Sequence, residues 1–521
     1  MTALRNHQAF SQAFVSIVIP AYNEELRLPG FLKQVITFCR QHFTRFEIFV
    51  VDDGSRDKTA ERVRELQEDC PQLQLLSLRR NRGKGYAVKY GLWRTSGDVA
   101  AFLDADGSTL PDEILANLPL MEEGYDIVIG SRVLENPHLK VSVRWYRKRI
   151  GQIFNNLVHL FMLNDIQDTQ CGFKMFRRKV IRPIFSRSYL DGFGFDMEIL
   201  FLARKLGFRI KEVGVNWTHV SGSKVRIFRD ALRLFVNIFQ IRMWHGSKGL
   251  ADAQFMTVAE IRHMYAVEQQ HWWFVSKRKL IERLLAQENG QNKEILDAGC
   301  GTGGNFPTLN SFGRVAGCDV IAEALEYSVR NGNERNIQCH IENIAFKDKT
   351  FDLVTALDVI EHVEDPVAAL SEFRRVLKDN GRLIVTVPAF RFLWSRQDDA
   401  LCHLRRYERQ DLVNQLDDAG FSIQCSSYFF CATFPIVVVI RKIRGLFSQK
   451  GKPVSDTSVL PAVWINALLK KVFAWETRLA VRFGLPFGST LFVVAVKSPN
   501  SGAAEYRQTN ESFLHESKTA I

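Results

Sequence analysis

Residues Asp98–Thr109 read DVAAFLDADGST, an apolar run that ends in two carboxylates one residue apart. Because the run is apolar and follows a glycine, Asp98–Leu103 is predicted to be a buried strand. Asp104 and Asp106 then stand at the carboxyl end of that strand, where ligands bind in open α/β sheets. Two oxygen donors on one turn suit a hard divalent cation that also binds phosphate. The alternative is that Asp-x-Asp-Gly serves only as turn chemistry.

Strands alternate with helices on both sides of this run, which predicts a largely parallel sheet with right-handed crossovers. The predicted strands are Val15–Pro20, Phe46–Val51, Gln74–Leu78 and Asp126–Ile129, and the predicted helices are Leu28–Phe43, Asp57–Asp69 and a segment from Lys84 to about Thr95.

Polar groups recur where these strands end. Asp52 and Asp53 follow the second strand and can hydrogen-bond a base or a ribose. Asn81, Gly83 and Lys84 open a helix, whose N-terminal N–H groups suit a phosphate. Such groups at successive strand ends indicate a nucleotide-sugar site.

These motifs resemble the family 2 glycosyltransferases of the GT-A fold over about residues 14–240. The matching stretches are PAYNEE (20–25), VVDDGS (50–55), NRGKG (81–85), DADGST (104–109) and GSR (130–132). Within that family, DTQCGFKMF (168–176) and GFGFDMEIL (192–200) resemble most the dolichyl-phosphate glucosyltransferases and mannosyltransferases. Enzymes of that group load a sugar onto a polyprenyl phosphate and invert the anomeric carbon.

The resemblance implies a site for a nucleotide sugar of the UDP-glucose or GDP-mannose type, with Mg²⁺ or Mn²⁺ at Asp104 and Asp106. Asp168 and Asp196 are predicted to orient groups in this site, and the alternative is that they cap helices or pair with arginine. The predicted nucleotide-sugar residues are Pro20, Tyr22, Glu24, Asp52, Asp53, Asn81, Lys84, Asp104 and Ala105.

The segment Ser131–Ile150 is basic, with six Lys or Arg and one acidic residue, and its arginines are interleaved with aromatic side chains. Arginine binds phosphate through a fork of donors, and aromatic rings suit a lipid headgroup boundary. The alternative is a solvated basic face. The resemblance implies that Arg132, Arg147 and Lys224 bind the acceptor phosphate, although Gly151 stands where the family often has a serine. Because a phosphate monoester is already an anion at neutral pH, it needs no general base.

Residues Arg226–Trp244 have apolar side chains at helical spacing with arginines between them. The pattern is typical of a basic amphipathic helix on a membrane surface. Packing of this helix on the domain core is the alternative.

The second half contains Asp297–Gly304, DAGCGTGG, after a predicted strand at Glu294–Leu296. Its glycines fit GxGxxG, which also occurs in dinucleotide-binding proteins. Asp297 before the glycines, Phe351–His362 (FDLVTALDVIEH) and Gly381–Pro388 (GRLIVTVP) instead resemble the class I S-adenosylmethionine-dependent methyltransferases over about residues 265–497.

This second resemblance implies a cofactor site for S-adenosylmethionine. Asp297 would face the methionine amine, Gly299 and Gly301 the approaching backbone, and Asp319 the ribose hydroxyls. Ile341 and Asp358 complete the predicted site. Many relatives carry an acidic residue at the adenine, where this chain has His340.

The segment Trp394–Tyr407 follows the fifth strand, where this fold places acceptor contacts. His403, Arg406 and Tyr407 are predicted to contact the methyl acceptor, with His403 as a base or as a structural histidine. The apolar segments Tyr428–Phe447 and Val463–Phe487 form an insertion that covers the acceptor or touches lipid.

The whole chain of 521 residues has a net charge of +12 and nine cysteines without paired spacing. We expect a reducing, cytoplasmic location, a peripheral position on the membrane face, and no nucleic acid partner. No stretch reaches the ~18 apolar residues of a membrane span. We also expect Phe255–Leu285 to be helical.

Two α/β, Rossmann-like domains are therefore predicted: a GT-A domain at 1–244, a linker at 245–254, a class I methyltransferase domain at 255–497 and a disordered tail at 498–521. The predicted activities are hexosyl transfer to a polyprenyl phosphate and methyl transfer in the same glycan pathway. The alternatives are a polysaccharide acceptor and a second half that only binds S-adenosylmethionine as a scaffold.

Overall fold

The computed structural model describes residues 13–134, 163, 165–218, 227–245, 258–286, 292–446 and 460–498. The chain divides into two compact units, Met1–Gly246 and Ser247–Ile521. Each unit has, within the described residues, one seven-stranded sheet with helices between its strands. The predicted class of two α/β domains is confirmed.

The first sheet has the strand order β3-β2-β1-β4-β6-β5-β7. All of its pairs are parallel except those that β6 makes with β4 and β5. This antiparallel strand, like β7, is absent from the sequence-based prediction. The strands are β1 (Phe14–Ala21), β2 (Arg45–Asp52), β3 (Leu73–Ser77), β4 (Val99–Leu103), β5 (Ile127–Ser131), β6 (Phe173–Arg177) and β7 (Ile210–Gly214).

Helices cover both faces of this sheet, so its strands are apolar on both sides. In β1, Ile17 and Ile19 pack into one buried cluster while Val18 packs into the other. Such two-sided burial explains why the strands read as continuous apolar runs. The helices of this unit are α1 (Leu28–His42), α2 (Thr59–Gln67), α3 (Lys84–Leu92), α4 (Asp112–Glu122), α5 (Arg178–Phe185), α6 (Phe195–Lys205) and α7 (Ile227–His245).

Helix α7 packs on the first unit through one face and exposes apolar side chains on the other. Ile238, Ile241 and Trp244 are buried, whereas Phe239 and Met243 are about half exposed. Packing of this helix on the domain core is thus observed, and its location on a membrane surface stays a prediction. His245, which the sequence analysis places in the linker, instead ends α7 and is fully buried.

The second sheet has the order β10-β9-β8-β11-β12-β14-β13, and β14 runs antiparallel to both of its neighbours. The strands expected at Glu294–Leu296 and Gly381–Pro388 are present as β8 and β12, and both are longer than expected. The strands are β8 (Lys293–Ala298), β9 (Gly313–Asp319), β10 (Asn336–Gln338), β11 (Phe351–Leu357), β12 (Leu377–Pro388), β13 (Phe421–Phe429) and β14 (Thr490–Lys497).

Two predictions for the second half are wrong in detail. The expected single helix at Phe255–Leu285 is two helices, because His271 breaks it and accepts the Trp273 N–H at 3.2 Å as the cap of the second. The expected insertion at Tyr428–Phe447 begins with the end of β13 and continues as a helix. The helices are α8 (Val258–Val267), α9 (Trp272–Leu285), α10 (Phe306–Leu309), α11 (Ala322–Arg330), α12 (Pro366–Val376), α13 (Arg396–Ala400), α14 (Arg409–Asp418), α15 (Phe434–Leu446) and α16 (Val463–Phe483).

Among the described residues, no helix combines the length and apolar character needed to cross a membrane. All nine cysteines lie in described segments and are free thiols.

Candidate active sites

At the carboxyl edge of the first sheet, the motif at the end of β2 lies beside the motif at the start of α3. Asp53 is buried and accepts the backbone N–H groups of Arg82 at 2.7 Å and Gly83 at 2.8 Å. Burial raises the pKa of Asp53 to about 6, and the two hydrogen bonds oppose that rise. Asp53 therefore orders the turn that starts α3. Gly83 has φ +107°, and a Cβ there would lie 2.5 Å from the Asp191 carbonyl oxygen, so the turn requires glycine.

Other predicted nucleotide-sugar residues lie along the same edge and have partners of their own. Asp52 accepts the Ser55 N–H at 3.0 Å, which closes the turn after β2. Glu24 forms a two-pronged ion pair with Arg27, at 2.7 Å and 2.6 Å. Pro20 and Tyr22 are partly buried, Ala105 is buried and Asn81 is exposed.

The acidic pair lies where the sequence predicts it, directly after β4. Lys84 Nζ is 2.5 Å from Asp104 Oδ1, and Asp106 accepts the Ser108 N–H at 3.0 Å. Burial would lower the pKa of Lys84, but the carboxylates of Asp104 and Asp196 raise it above its ordinary value. Lys84 is thus a fixed cation beside both carboxylate positions that we expect to bind metal.

Gly172 gives the Asp104 carboxylate its space. A Cβ at this position would lie 2.0 Å from Asp104 Oδ2. The stretch DTQCGF therefore touches the acidic pair directly, a contact that the sequence analysis does not foresee.

Asp168 holds Arg132 in place. The Arg132 Nε and one terminal nitrogen donate to the two carboxylate oxygens at 2.7 Å and 2.9 Å, and the Arg132 backbone N–H donates at 3.0 Å. Burial would raise the pKa of Asp168, but Arg132 keeps it below its ordinary value. This pairing with arginine matches the alternative that the sequence analysis left open. The other two predicted acceptor-phosphate residues, Arg147 and Lys224, lie outside the described residues.

Asp196 pairs with a lysine that sequence reasoning missed. Lys174 is fully buried, and its Nζ lies 2.5 Å from Asp196 Oδ1 and 2.9 Å from the Cys171 carbonyl oxygen. Burial raises the pKa of Asp196 although Lys174 and Lys84 act to lower it. Arg27 was also missed, although its spacing of three residues from Glu24 is a signal for an ion pair.

The glycine-rich turn of the second unit lies at the carboxyl end of β8. Asp297 is buried, accepts the Thr355 hydroxyl at 2.7 Å through Oδ1, and has no hydrogen-bond partner for Oδ2 among the described residues. Burial raises the pKa of Asp297 to about 6. Gly299 and Gly301 both have positive φ, which glycine tolerates best.

The remaining predicted cofactor residues line the neighbouring strand ends. Asp319 accepts the N–H groups of Gly301 at 2.9 Å and Ile321 at 2.9 Å. Ile341 is buried in the core, and His340 beside it is exposed. Asp358 forms an ion pair with Lys277, whose pKa burial lowers to about 7.

The three predicted methyl-acceptor residues differ in exposure, because only His403 is partly exposed. His403 Nδ1 lies 2.9 Å from Asp398 Oδ1. Arg406 and Tyr407 are buried: Arg406 donates to Asp398 and to the Ala389 carbonyl oxygen, and the Tyr407 hydroxyl donates to the Ile360 carbonyl oxygen at 3.3 Å. These bonds support the loop from within the unit, so a direct contact of Arg406 or Tyr407 with substrate stays a prediction.

Comparison with known protein families matches both halves. Residues 16–185 match glycosyl transferase family 2, and residues 296–385 match a methyltransferase domain. The dolichyl-phosphate beta-glucosyltransferase of Dictyostelium discoideum is 36% identical over 253 residues, which are 46% of this chain and 77% of that protein. Its counterpart in Saccharomyces cerevisiae is 33% identical over 258 residues, again 46% of this chain and 77% of that protein.

Among solved structures, glucosyl-3-phosphoglycerate synthase of Mycobacterium tuberculosis is 19% identical and aligns over 46% of this chain and 84% of its own, with a TM-score of 0.37. The sequence relatives decide the assignment, because they exceed 30% identity over most of their length. The chain is a transferase that belongs to glycosyl transferase family 2 through its first half and carries a methyltransferase domain in its second.

Proposed function

We propose that the first half transfers a hexose from a nucleotide sugar to a polyprenyl phosphate, and that the second half transfers a methyl group from S-adenosylmethionine. The observation that carries the first part is the edge where Asp53, Lys84, Asp104 and Asp106 converge. The names of the relatives, dolichyl-phosphate beta-glucosyltransferases, support the lipid phosphate as acceptor.

The residues at this edge fit a divalent cation. Asp104 and Asp106 supply oxygen ligands, and both side chains are partly exposed. Mg²⁺ or Mn²⁺ held there would neutralise charge on the leaving nucleoside diphosphate. Lys84 adds a positive charge at 2.5 Å from Asp104, and Asp53 fixes the turn that presents it.

The acceptor needs positioning more than activation. A phosphate monoester carries more than one negative charge at neutral pH, so it attacks the anomeric carbon without a general base. Arg132 donates Nε and one terminal nitrogen to Asp168, which orients it, and it binds that phosphate through the terminal N–H groups that Asp168 does not use. We assign the same role to Arg147 and Lys224.

A peripheral position on a membrane agrees with the exposed face of α7. Phe235, Val236, Phe239 and Met243 form an apolar stripe, and Arg242 stands beside it. Basic amphipathic helices of this kind lie at the headgroup boundary. In the second unit, α16 likewise exposes Trp464 and Trp475, which suits the same boundary. Placement on the cytoplasmic face is part of this proposal.

The second half fits S-adenosylmethionine on its own residues. The buried Asp297 Oδ2, without a partner in the described part of the chain, suits a cationic amine. Asp319 stands at the end of the next strand for the ribose hydroxyls. When bound, S-adenosylmethionine supplies a methyl group on a sulfonium, and the residues around β8 and β9 bind and orient it. We place the methyl acceptor in the same glycan pathway.

The purified full chain, incubated with vesicles and a panel of labelled nucleotide sugars, tests the first activity. Polyprenyl phosphate, unphosphorylated polyprenol and polysaccharide are offered as acceptors. We expect label in the lipid extract only with the phosphate, and release of free hexose by mild acid. Label on polysaccharide instead would contradict the lipid acceptor. Transfer from methyl-labelled S-adenosylmethionine into the same extract tests the second activity, and binding without transfer would leave a scaffold domain.

A further inference from the structure

Three side chains of the second unit converge: Glu361 and His362, which have no assigned role, and His403, which is predicted to contact the methyl acceptor. One ligand atom from each lies within 4.8 Å of the others. The imidazole rings of His362 and His403 are 4.8 Å apart and nearly perpendicular, so they do not stack. His403 Nε2 is 4.0 Å from Glu361 Oε1, too far for a hydrogen bond.

Glu361 is the unusual member of this cluster. Its side chain is fully buried, and neither carboxylate oxygen has a hydrogen-bond partner within the described residues. A buried carboxylate without a hydrogen-bond partner is unfavourable, because it has lost the hydrogen bonds of water and received none from the protein. Binding of a cation would give these two carboxylate oxygens the partner that the described residues do not supply.

Hydrogen bonding orients the His403 ring so that the lone pair of Nε2 faces the cluster. Asp398 Oδ1 fixes His403 Nδ1 at 2.9 Å, which leaves Nε2 directed to Glu361. Asp398 is itself held by Arg406 Nε at 2.7 Å and by the Ser395 N–H at 2.8 Å. A carboxylate behind a histidine is the usual second shell of a metal-bound imidazole.

The backbone joins the two loops that carry these residues. The Leu404 N–H donates to the Glu361 carbonyl oxygen at 2.9 Å, and the His403 N–H donates to the Asp398 carbonyl oxygen at 2.9 Å. The first loop also touches the glycine-rich turn, because a Cβ on Gly299 would lie 2.5 Å from Val359. The cluster thus lies at the carboxyl edge of the sheet, next to the predicted cofactor turn.

We propose that Glu361, His362 and His403 bind a divalent transition-metal ion in the second unit. Two imidazole nitrogens and one carboxylate oxygen favour Zn²⁺, Mn²⁺, Fe²⁺ or Co²⁺ over Mg²⁺ or Ca²⁺. Three protein ligands leave at least one position open for a water or a substrate oxygen. Bonds of about 2.0–2.2 Å require the three side chains to close by roughly 1 Å. This site is separate from the carboxylate pair of the first unit and does not depend on the proposed methyl transfer.

Cobalt titration of the full chain tests the proposal. The Asp104→Asn/Asp106→Asn variant serves as background, so that the first unit does not contribute. After chelation and dialysis, calorimetry with CoCl₂ should give about one equivalent per chain. Adding Glu361→Gln or His403→Gln to that background should weaken Co²⁺ binding at least ~100-fold, since each removes a direct ligand. Adding His263→Gln, which changes an exposed histidine of the same unit, should leave binding unchanged.

Two results would overturn the site: no Co²⁺ binding by the background variant, or equal affinity in the His403→Gln and His263→Gln proteins. X-ray absorption at the cobalt edge of the background variant gives an answer that needs no further substitution. It should show scattering from imidazole rings, and a shell of oxygen atoms alone would contradict the proposal.

Discussion

The Arg132 guanidinium meets the Asp168 carboxylate in parallel, with Nε 2.7 Å from Oδ2 and a terminal nitrogen 2.9 Å from Oδ1. The Asp168 side chain is buried, while that of Arg132 is 30% exposed. The buried Asp168 carboxylate therefore fixes the orientation of an accessible arginine side chain. Under the proposed function, Asp168 is a positioning residue that orients Arg132 toward the acceptor phosphate.

Asp168→Asn should weaken the binding of the lipid phosphate more than the binding of the nucleotide sugar. Loss of a charge-assisted pair costs about 1.5–3 kcal/mol, so KM for polyprenyl phosphate should rise roughly 10- to 100-fold. Steady-state kinetics with each substrate varied measures the split, and thermal unfolding checks the fold. Asp165→Asn, at an exposed carboxylate of the same segment, is the matched control. Equal losses for both substrates would mean that Asp168 only supports the fold.

Gly172→Ala should displace the Asp104 carboxylate, because the new Cβ would lie 2.0 Å from Oδ2. A misplacement of about 1 Å at a reacting centre lowers the rate roughly 100-fold, and we expect that loss in kcat for hexosyl transfer. Gly30→Ala, where nothing lies within 4 Å of the added Cβ, should transfer normally. A Gly172→Ala enzyme with the rate of the Gly30→Ala enzyme would show that Asp104 does not act at the sugar diphosphate.

Binding of S-adenosylmethionine should strengthen as pH rises from 5 to 7. Burial raises the pKa of Asp297 to about 6, so the carboxylate is mostly protonated at pH 5 and mostly ionised at pH 7. The amine of the ligand stays cationic over this range, since α-amino groups have a pKa of about 7.7–8.0. The ionised form binds the cation, so affinity should fall up to ~10-fold from pH 7 to pH 5.

Calorimetry at several pH values measures that dependence. Asp297→Asn should bind weakly and with no pH dependence in this window. Asp348→Asn, at an exposed carboxylate of the same unit, should follow the unaltered chain. A pH profile that persists in the Asp297→Asn protein would contradict the assignment.

The first unit on its own should be more stable when it keeps His245. The His245 Nε2 lies 2.7 Å from Glu198 Oε1, and both side chains are fully buried. Removing one partner of a buried pair costs about 3–5 kcal/mol. A chain ended after Gly246 should therefore unfold at a clearly higher temperature than one ended after Trp244. Identical unfolding temperatures would contradict this account of where the unit ends.

The position of the acidic pair followed from the sequence because an apolar run fixes where β4 ends. The contact of Gly172 with Asp104 and the pairing of Asp168 with Arg132 did not, because both residues come from the segment that leads into the antiparallel strand β6. Asp168 lies 36 residues beyond Arg132, and no local pattern reports that distance. Strand β6 was not predicted because it contains Lys174, and a lysine is buried in a strand only when a partner such as Asp196 neutralises it.

The break between α8 and α9 was also not predicted, because the aromatic run at Trp272–Phe274 is compatible with one continuous helix. The break at 268–271 (EQQH) contains no glycine or proline, and only the cap formed by His271 shows where the second helix begins. Glu361 gave no sequence signal either, because its lack of partners exists only in the folded unit.

The most direct measurement is mass spectrometry of the lipid fraction after incubation of the full chain with a nucleotide sugar, polyprenyl phosphate and Mg²⁺. We compare the unaltered chain with Asp106→Asn and with Asp112→Asn, a control at an exposed carboxylate of the same unit. Hexosyl-phosphoryl-polyprenol should form with the unaltered and Asp112→Asn chains and be absent with Asp106→Asn, which should still bind S-adenosylmethionine. Formation of the lipid product by Asp106→Asn at the unaltered rate, or its absence in all three, would contradict the account.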